Sequence, residues 1–283
     1  MKYKILSYID LESPIHRLTG AAKLICLILW SLTTMITYDT RILVVMFTLG
    51  IIIFHFSKVE FRSISLVIYL FLLFLFINNI AIFIFEPMQG VKIYHTKHPI
   101  HHIIGHYTLT AEQLFYQANL TLKYFTIIPL ALLFIVSTHP SEFAASLNKI
   151  GVSYRISYAV SLALRYIPDI QRDYQNIILA QQARGIDLSK KQKLTKKIRY
   201  ASSILMPLIF SSLNRIETIS AAMELRGFGS QKRRSWFHER PFTKSDYLAI
   251  MLSVLLFVIS MLITFWDGSR FYNPFTYPAK GNF

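Results

Sequence analysis

Residues 64–86 read ISLVIYLFLLFLFINNIAIFIFE, with a single charged side chain, Glu86, at the very end. A helix needs about 20 apolar residues, within a range of about 17–25, to cross the hydrocarbon part of a bilayer. Such a helix is apolar on every face, which suits lipid, and it pairs its own backbone groups without help from water. Four further stretches approach the same length and texture: 21–38 (AAKLICLILWSLTTMITY), 42–57 (ILVVMFTLGIIIFHFS), 119–138 (NLTLKYFTIIPLALLFIVST) and 247–266 (YLAIMLSVLLFVISMLITFW). The second is short and its ends are the least sharply defined. The chain is thus expected to be an all-α polytopic membrane protein with about five transmembrane helices.

The whole composition agrees. Charged residues make up 16% of the chain against about 25% in soluble domains, and mean hydropathy is +0.42. The charge is also lopsided, 30 Lys+Arg against 15 Asp+Glu. Residues 139–246 hold 18 of those basic residues and 8 of the acidic ones. A basic block between apolar spans is the pattern of a cytoplasmic segment. Lys2, Lys4 and Arg17 before the first span, and Lys58 and Arg62 between the second and third, fall on the same side if the N-terminus is inside. Trp266 and the tail aromatics Phe271, Tyr272, Phe275 and Tyr277 then suit the outer interface. No cleavable leader is expected, because Asp10, Glu12 and Pro14 interrupt the place of its apolar core. The expected organisation is a four-helix membrane domain at 1–138, a cytoplasmic domain of three helices at 139–240, and a last span with an outer tail at 241–283. The lone cysteine, Cys26, excludes an internal disulfide and reads as a small buried hydrophobe.

Within 139–240, residues 140–150 (PSEFAASLNKI) form an amphipathic pattern with Pro140 at a first helical position and Glu142 in the first turn. Gly151 ends it. A long helical pattern covers 154–184 and carries Pro168; a second covers about 198–226 and carries Pro207. Ser157 with Ser161, and Ala159 with Ala163, place small residues four apart, a spacing that lets helices approach closely.

The two long patterns end alike. The first closes on Ala180-Gln-Gln-Ala183-Arg184-Gly185-Ile186 and the second on Ala222-Met-Glu-Leu225-Arg226-Gly227-Phe228, with the arginines 42 residues apart. A glycine just past a helix takes the left-handed conformation that caps it, and an apolar residue beyond it packs back on the last turn. Arginine in the last turn complements the helix dipole. Each arginine is therefore expected at a fixed helix tip, aimed outward.

These ends resemble the T component of energy-coupling factor transporters, the family that includes the cobalt-transport CbiQ proteins. Its signature is a pair of short Ala-Arg-Gly motifs ending two long coupling helices. Ala183-Arg184-Gly185 matches fully, and Leu225-Arg226-Gly227 differs at its first place. SPIHRLTGAAKL near the N-terminus and LRYIPDIQRDYQNIILAQQARGID in the first long pattern are also similar to the family. The resemblance implies a scaffold in the bacterial cell membrane that is not itself an enzyme. In it the two long helices cross, and their tips enter grooves on two cytoplasmic ABC-type ATPases. ATPase closure then topples a separate substrate-binding membrane protein (the S component), which imports a vitamin or a metal ion. Arg184 and Arg226 are the residues it implies for the grooves, with Gly185 and Gly227 permitting the fit. ATP and magnesium belong to the partner ATPases, and this chain needs no cofactor.

Other functional readings are weaker. No glycine-rich phosphate loop ending in Gly-Lys-Ser/Thr exists in the chain. No triad or carboxylate pair of the kind a membrane-embedded lipid enzyme requires stands out, and a self-sufficient carrier would need ionisable residues inside its spans. His95, His98, His101, His102 and His106 lie within twelve residues of the outer loop. They read either as a metal-collecting loop, in line with a dedicated cobalt or nickel importer, or as a polar loop rich in histidine. Asn78 and Asn79 in the third span are expected to bond a neighbouring helix or to face the substrate-binding partner. Lys123, one turn into the fourth span, is expected to reach outward to the interface. The run Lys190, Lys191, Lys193, Lys196, Lys197 and Arg199 suits anionic lipid, as do Lys232, Arg233 and Arg234; without aromatic interleaving neither suggests nucleic acid.

Overall fold

The computed structural model describes residues 13–59, 61–104, 107–185, 194–230, 236, 240–266 and 269–275, with backbone alone at 61–64, 102–104 and 194–199. Along the chain the elements are α1 (Pro14–Arg17), α2 (Gly20–Ile36), α3 (Thr40–Phe56), α4 (Phe61–Phe85), α5 (Gln89–Tyr94), β1 (Pro99–Ile104), β2 (Tyr107–Thr110), α6 (Ala111–Ser137), α7 (Pro140–Lys149), α8 (Tyr154–Ala183), α9 (Leu194–Leu225) and α10 (Lys244–Trp266). Two compact units result: Met1–His139 with Arg240–Phe283, and Pro140–Glu239. The lead-in before Ser13, the side chains of the 190–199 basic run, Lys232–Arg234 and Tyr277 lie outside the described residues.

The five apolar stretches become α2, α3, α4, α6 and α10. Three of them are long and apolar enough to cross a membrane: Ser65–Phe85 within α4, α6 and α10. α2 and α3 have 17 residues each, about 26 Å against an apolar thickness of about 30 Å. α2 stops at Ile36 because Thr37 turns to extended backbone. α6 begins at Ala111, well before the apolar run that announces it. Thr110 caps it by accepting the Gln113 N–H at 3.2 Å, and Glu112 occupies the first turn. Its first two turns are helical through capping and polar helix formers, which hydropathy does not register.

The first unit has two poles. At one, Lys23 Nζ donates to the Ser137 carbonyl at 2.7 Å and to that of His16 at 3.5 Å, satisfying the open end of α6. There too the buried Asp246 carboxylate accepts the Thr19 N–H at 2.8 Å, and the N–H and hydroxyl of Thr243 at 2.7 Å each, joining the starts of α2 and α10. Phe54, Val59, Leu132, Leu133 and Val136, with Ile15 against them, pack beside these groups. At the other pole the Tyr38 N–H donates to the Arg270 carbonyl at 3.0 Å, and Thr37 and Thr264 hydroxyls meet at 2.7 Å. Tyr94 is buried under Phe115, Phe271 and Phe275. The 87–118 connection, expected only as a loop, thus holds α5 and an antiparallel hairpin in which His101 pairs with Leu109.

Between the poles, apolar side chains of α4 and α10 such as Phe76 and Leu262 face outward, while Thr33, Thr34, Asn119 and Thr126 lie inside. With lipid outside, interior contacts rest on hydrogen bonds and close packing rather than on water exclusion. Trp30 Nε1 donates to the Thr126 carbonyl at 3.2 Å, one turn before Pro129. Asn79 Nδ2 donates to Thr121 Oγ1 at 3.1 Å, and Gln117 Nε2 to the Asn79 carbonyl at 3.0 Å, so α4 and α6 are tied as expected of a polar residue in a span. Lys123 differs from expectation. Because α6 starts early, it lies three turns in, buried, with Nζ donating to the Met35 carbonyl at 3.1 Å and resting on the Tyr38 ring. An apolar cleft of about 1050 Å³ runs between α3 and α10, floored by α2 and α6, with Cys26 and Ser253 on its wall.

Candidate functional site

The second unit is built from α7, α8 and α9. α7 ends as expected near Gly151, with the Val152 N–H returning to the Leu147 carbonyl at 3.0 Å. α8 and α9 are long helices, 30 and 32 residues, and each holds its proline, Pro168 or Pro207, without interruption. Their side-chain partners set the register. Arg215 pairs with Asp173, approaches Asp169 at 3.8 Å and lies 5.9 Å from the Tyr166 ring centre; Gln181 Nε2 donates to the Ser203 carbonyl at 3.1 Å. As α8 positions rise, their α9 partners fall, so the two helices run antiparallel and their motif ends point in opposite directions.

Both ends have the predicted cap. At the first, Gly185 has φ +83° and its N–H donates to the Gln182 carbonyl at 2.9 Å, while the Arg184 N–H is shared between Ala180 and Gln181 at 3.3 and 3.1 Å. At the second, Gly227 has φ +64°; its N–H reaches the Glu224 carbonyl and the Phe228 N–H the Met223 carbonyl, both at 2.9 Å. The second end shows the paired bonds of a glycine-terminated helix, and the positive φ at both ends is why glycine follows each arginine. The corresponding Ile186 lies outside the described residues. Arg184 and Arg226 thus occupy the same C-cap place, and both are exposed. Their charge stands where the helix carbonyls concentrate partial negative charge.

The surroundings of the two tips differ. Beside Arg184 stands the small Ala183, whereas beside Arg226 Leu225 is 91% exposed, an apolar knob facing outward. Phe228 folds back on Tyr158 and Tyr154, ring centres 4.7 and 5.8 Å away. Trp236 joins Tyr154 at 5.4 Å and donates Nε1–H to Asn148 Oδ1 at 3.2 Å. The second tip is therefore seated on the start of α8.

Sequence reasoning missed the charged clamp between the helices. Its signal is nonetheless present: Asp173 and Arg215 are 42 residues apart, like the two motif arginines, and each lies 11 residues before its own. They hold equivalent places in the repeat with opposite charges. With a rise of about 1.5 Å per residue, the two tips stand roughly 30 Å apart along the pair.

The histidines of the 87–118 connection are dispersed. His98 Nδ1 lies 2.6 Å from Glu112 Oε1, its N–H donates to both carboxylate oxygens, and its ring stacks on Phe275. His95 is exposed on a left-handed turn and His101 is exposed on β1. His106 and the His102 side chain lie outside the described residues. Among those described, no group of three or more His, Cys, Asp or Glu side chains is placed to hold a metal ion.

Comparison with known proteins finds that the family of cobalt transport proteins, CbiQ, matches residues 12–239. The chain is similar to energy-coupling factor transporter transmembrane proteins EcfT of several bacteria. It is 27% identical over 267 residues to that of Streptococcus equi subsp. equi, covering 88% of this chain and 92% of the relative. For Staphylococcus aureus the figures are 24% over 276 residues, 92% and 98%. With that of Limosilactobacillus fermentum identity is 31% over 160 residues, 52% of this chain and 60% of the relative.

Proposed function

The chain belongs to the CbiQ family of cobalt transport proteins, and from that premise we propose that it is the transmembrane component of an energy-coupling factor importer. It links two ABC-type ATPases to a substrate-binding membrane protein. The observation that carries this reading is the pair of exposed arginines in matching C-caps at opposite ends of one antiparallel helix pair. Two separated, equivalent cationic tips suit two copies of one kind of motor groove. Arginine suits the contact because its charge is permanent and its planar fork recognises carboxylates in two directions at once. Ala183 with Gly185, and Leu225 with Gly227, form the shoulders of each contact.

The second unit and the N-terminus lie in the cytoplasm, as the basic block at 139–246 favours. ATP and magnesium are held by the ATPases, and this chain contributes motion rather than catalysis. Substrate choice rests with the substrate-binding protein, for a vitamin or a metal ion. A dedicated cobalt or nickel importer is the second reading, favoured by the description of the family.

The test is to co-express the chain with an ATPase pair and a substrate-binding subunit and to change Arg184 and Arg226 together to Glu. Truncating one side of a buried interfacial charge pair costs about 2–5 kcal/mol. The double change should abolish ATPase capture and uptake while the chain still inserts in the membrane. Normal uptake by the double variant rules the reading out.

A further inference from the structure

Pro207 sits inside α9 and has no N–H, so the Ser203 carbonyl four residues earlier has no donor in its own helix. An open backbone acceptor takes its hydrogen bond from elsewhere. Here the donor is Gln181 Nε2 of α8, at 3.1 Å. Gln181 is 7% exposed, whereas Gln182, Ala183 and Arg184 beyond it are all exposed. Its own backbone carbonyl accepts the Arg184 N–H at 3.1 Å. One residue thus grips the open carbonyl of α9 with its side chain and holds the tip arginine with its backbone.

The second tip is held differently. The residue 42 positions after Gln181 is Met223, which cannot donate, and that tip is held by Phe228 against Tyr154 and Tyr158. Among the described residues, the first tip is tied to its neighbouring helix through the Gln181 side-chain hydrogen bond, which is directional and exchangeable with water, while the second packs on an aromatic cluster.

We infer that Gln181 is a positioning residue for Arg184: a releasable latch between the carbonyl that Pro207 leaves open in α9 and the first tip, through which that tip can detach from its neighbouring helix during the transport cycle. The part of this concerning transport rests on reading Arg184 as an ATPase contact; the latch itself does not.

The experiment uses the assembled transporter in lipid vesicles, with hydrogen exchange at the two tips and substrate moved per ATP hydrolysed as readouts. Gln181→Met keeps length and apolar bulk but cannot donate. It should speed amide exchange at 182–185 roughly five- to tenfold, as expected for loss of one partner of a hydrogen bond, leave 223–228 unchanged, and lower the yield per ATP. Pro207→Ala returns a backbone donor to Ser203 and strengthens α9. It should loosen 182–185 as well, although it alters nothing in α8, and adding Gln181→Met to it should then change little. Unchanged exchange at 182–185 in Gln181→Met, or fully additive effects in the double variant, overturns the latch. Faster exchange with normal uptake per ATP leaves the latch standing as a structural contact and overturns its part in transport.

Discussion

Replacing Arg215 with Leu tests whether α8 and α9 act as one body. Arg215 reaches Asp173 and Asp169 across the helix pair, and Arg172 of α8 also reaches Asp169, at 3.8 Å. The side chains of Arg215 and Asp173 are 30% and 26% exposed. Fully exposed ion pairs contribute about 0–1 kcal/mol, and breaking a buried one costs about 3–5 kcal/mol. At this intermediate exposure, and with water still reaching both carboxylates, Arg215→Leu should cost about 1–2 kcal/mol. Asp173→Leu should cost about 1 kcal/mol, and the two together should fall short of their sum by about 1 kcal/mol, because neighbours that share a bond do not add. Trp236 reports the unit directly, since its ring lies on Tyr154. With Trp30 and Trp266 changed to Phe, its fluorescence during unfolding in mixed detergent micelles yields the cycle. Costs that add within about 0.3 kcal/mol refute the clamp, since independent sites behave that way. If the clamp holds, Arg215→Leu should retain ATPase capture but move less substrate per ATP.

Asp246→Ala should detach the start of α10 from α2, costing about 3 kcal/mol for three lost bonds to a buried carboxylate, with Asp246→Asn costing less. Cys26 on the adjoining cleft wall is the chain's sole thiol, so labelling on heating should begin at a lower temperature in Asp246→Ala, and an unaltered onset would count against the tie. Gly90→Ala should unseat α5, because the added Cβ would fall 2.3 Å from the Glu112 carbonyl oxygen and 2.5 Å from the Gln113 N, both backbone atoms that cannot retreat. Trypsin cleavage at Lys92 and Lys97 should then rise several-fold over the parent, and equal protection would contradict that packing.

Much of the fold was legible because a spanning helix announces itself by length and uniform apolarity, without reference to its neighbours. Where that signal fails, the reasons are local. The first turns of α6 are made by Thr110, Glu112 and Gln113, which carry no hydropathy, so its start was misplaced and Lys123 was set too near the surface. The hairpin at 99–110 is short, and its first strand, PIHHII, has no alternation to mark it. The helix tips were readable because a C-cap is decided by a handful of consecutive residues: Gly185 and Gly227 announce a positive φ wherever the rest of the chain goes. The Gln181–Ser203 and Asp173–Arg215 contacts depend on the register between two helices. A register is a property of two surfaces together, and no window along one helix contains it.

The equivalence of Asp173 and Arg215 has a mechanical consequence. Each faces the other and each precedes its own tip arginine by 11 residues, so the clamp is a fulcrum with two lever arms of about 16 Å. Swinging the pair about that point by some ten degrees carries each tip about 3 Å, by equal amounts in opposite senses. Equal and opposite pulls on the two arms would cancel in translation and sum in torque. Whatever rides on this balance beam is turned rather than pushed.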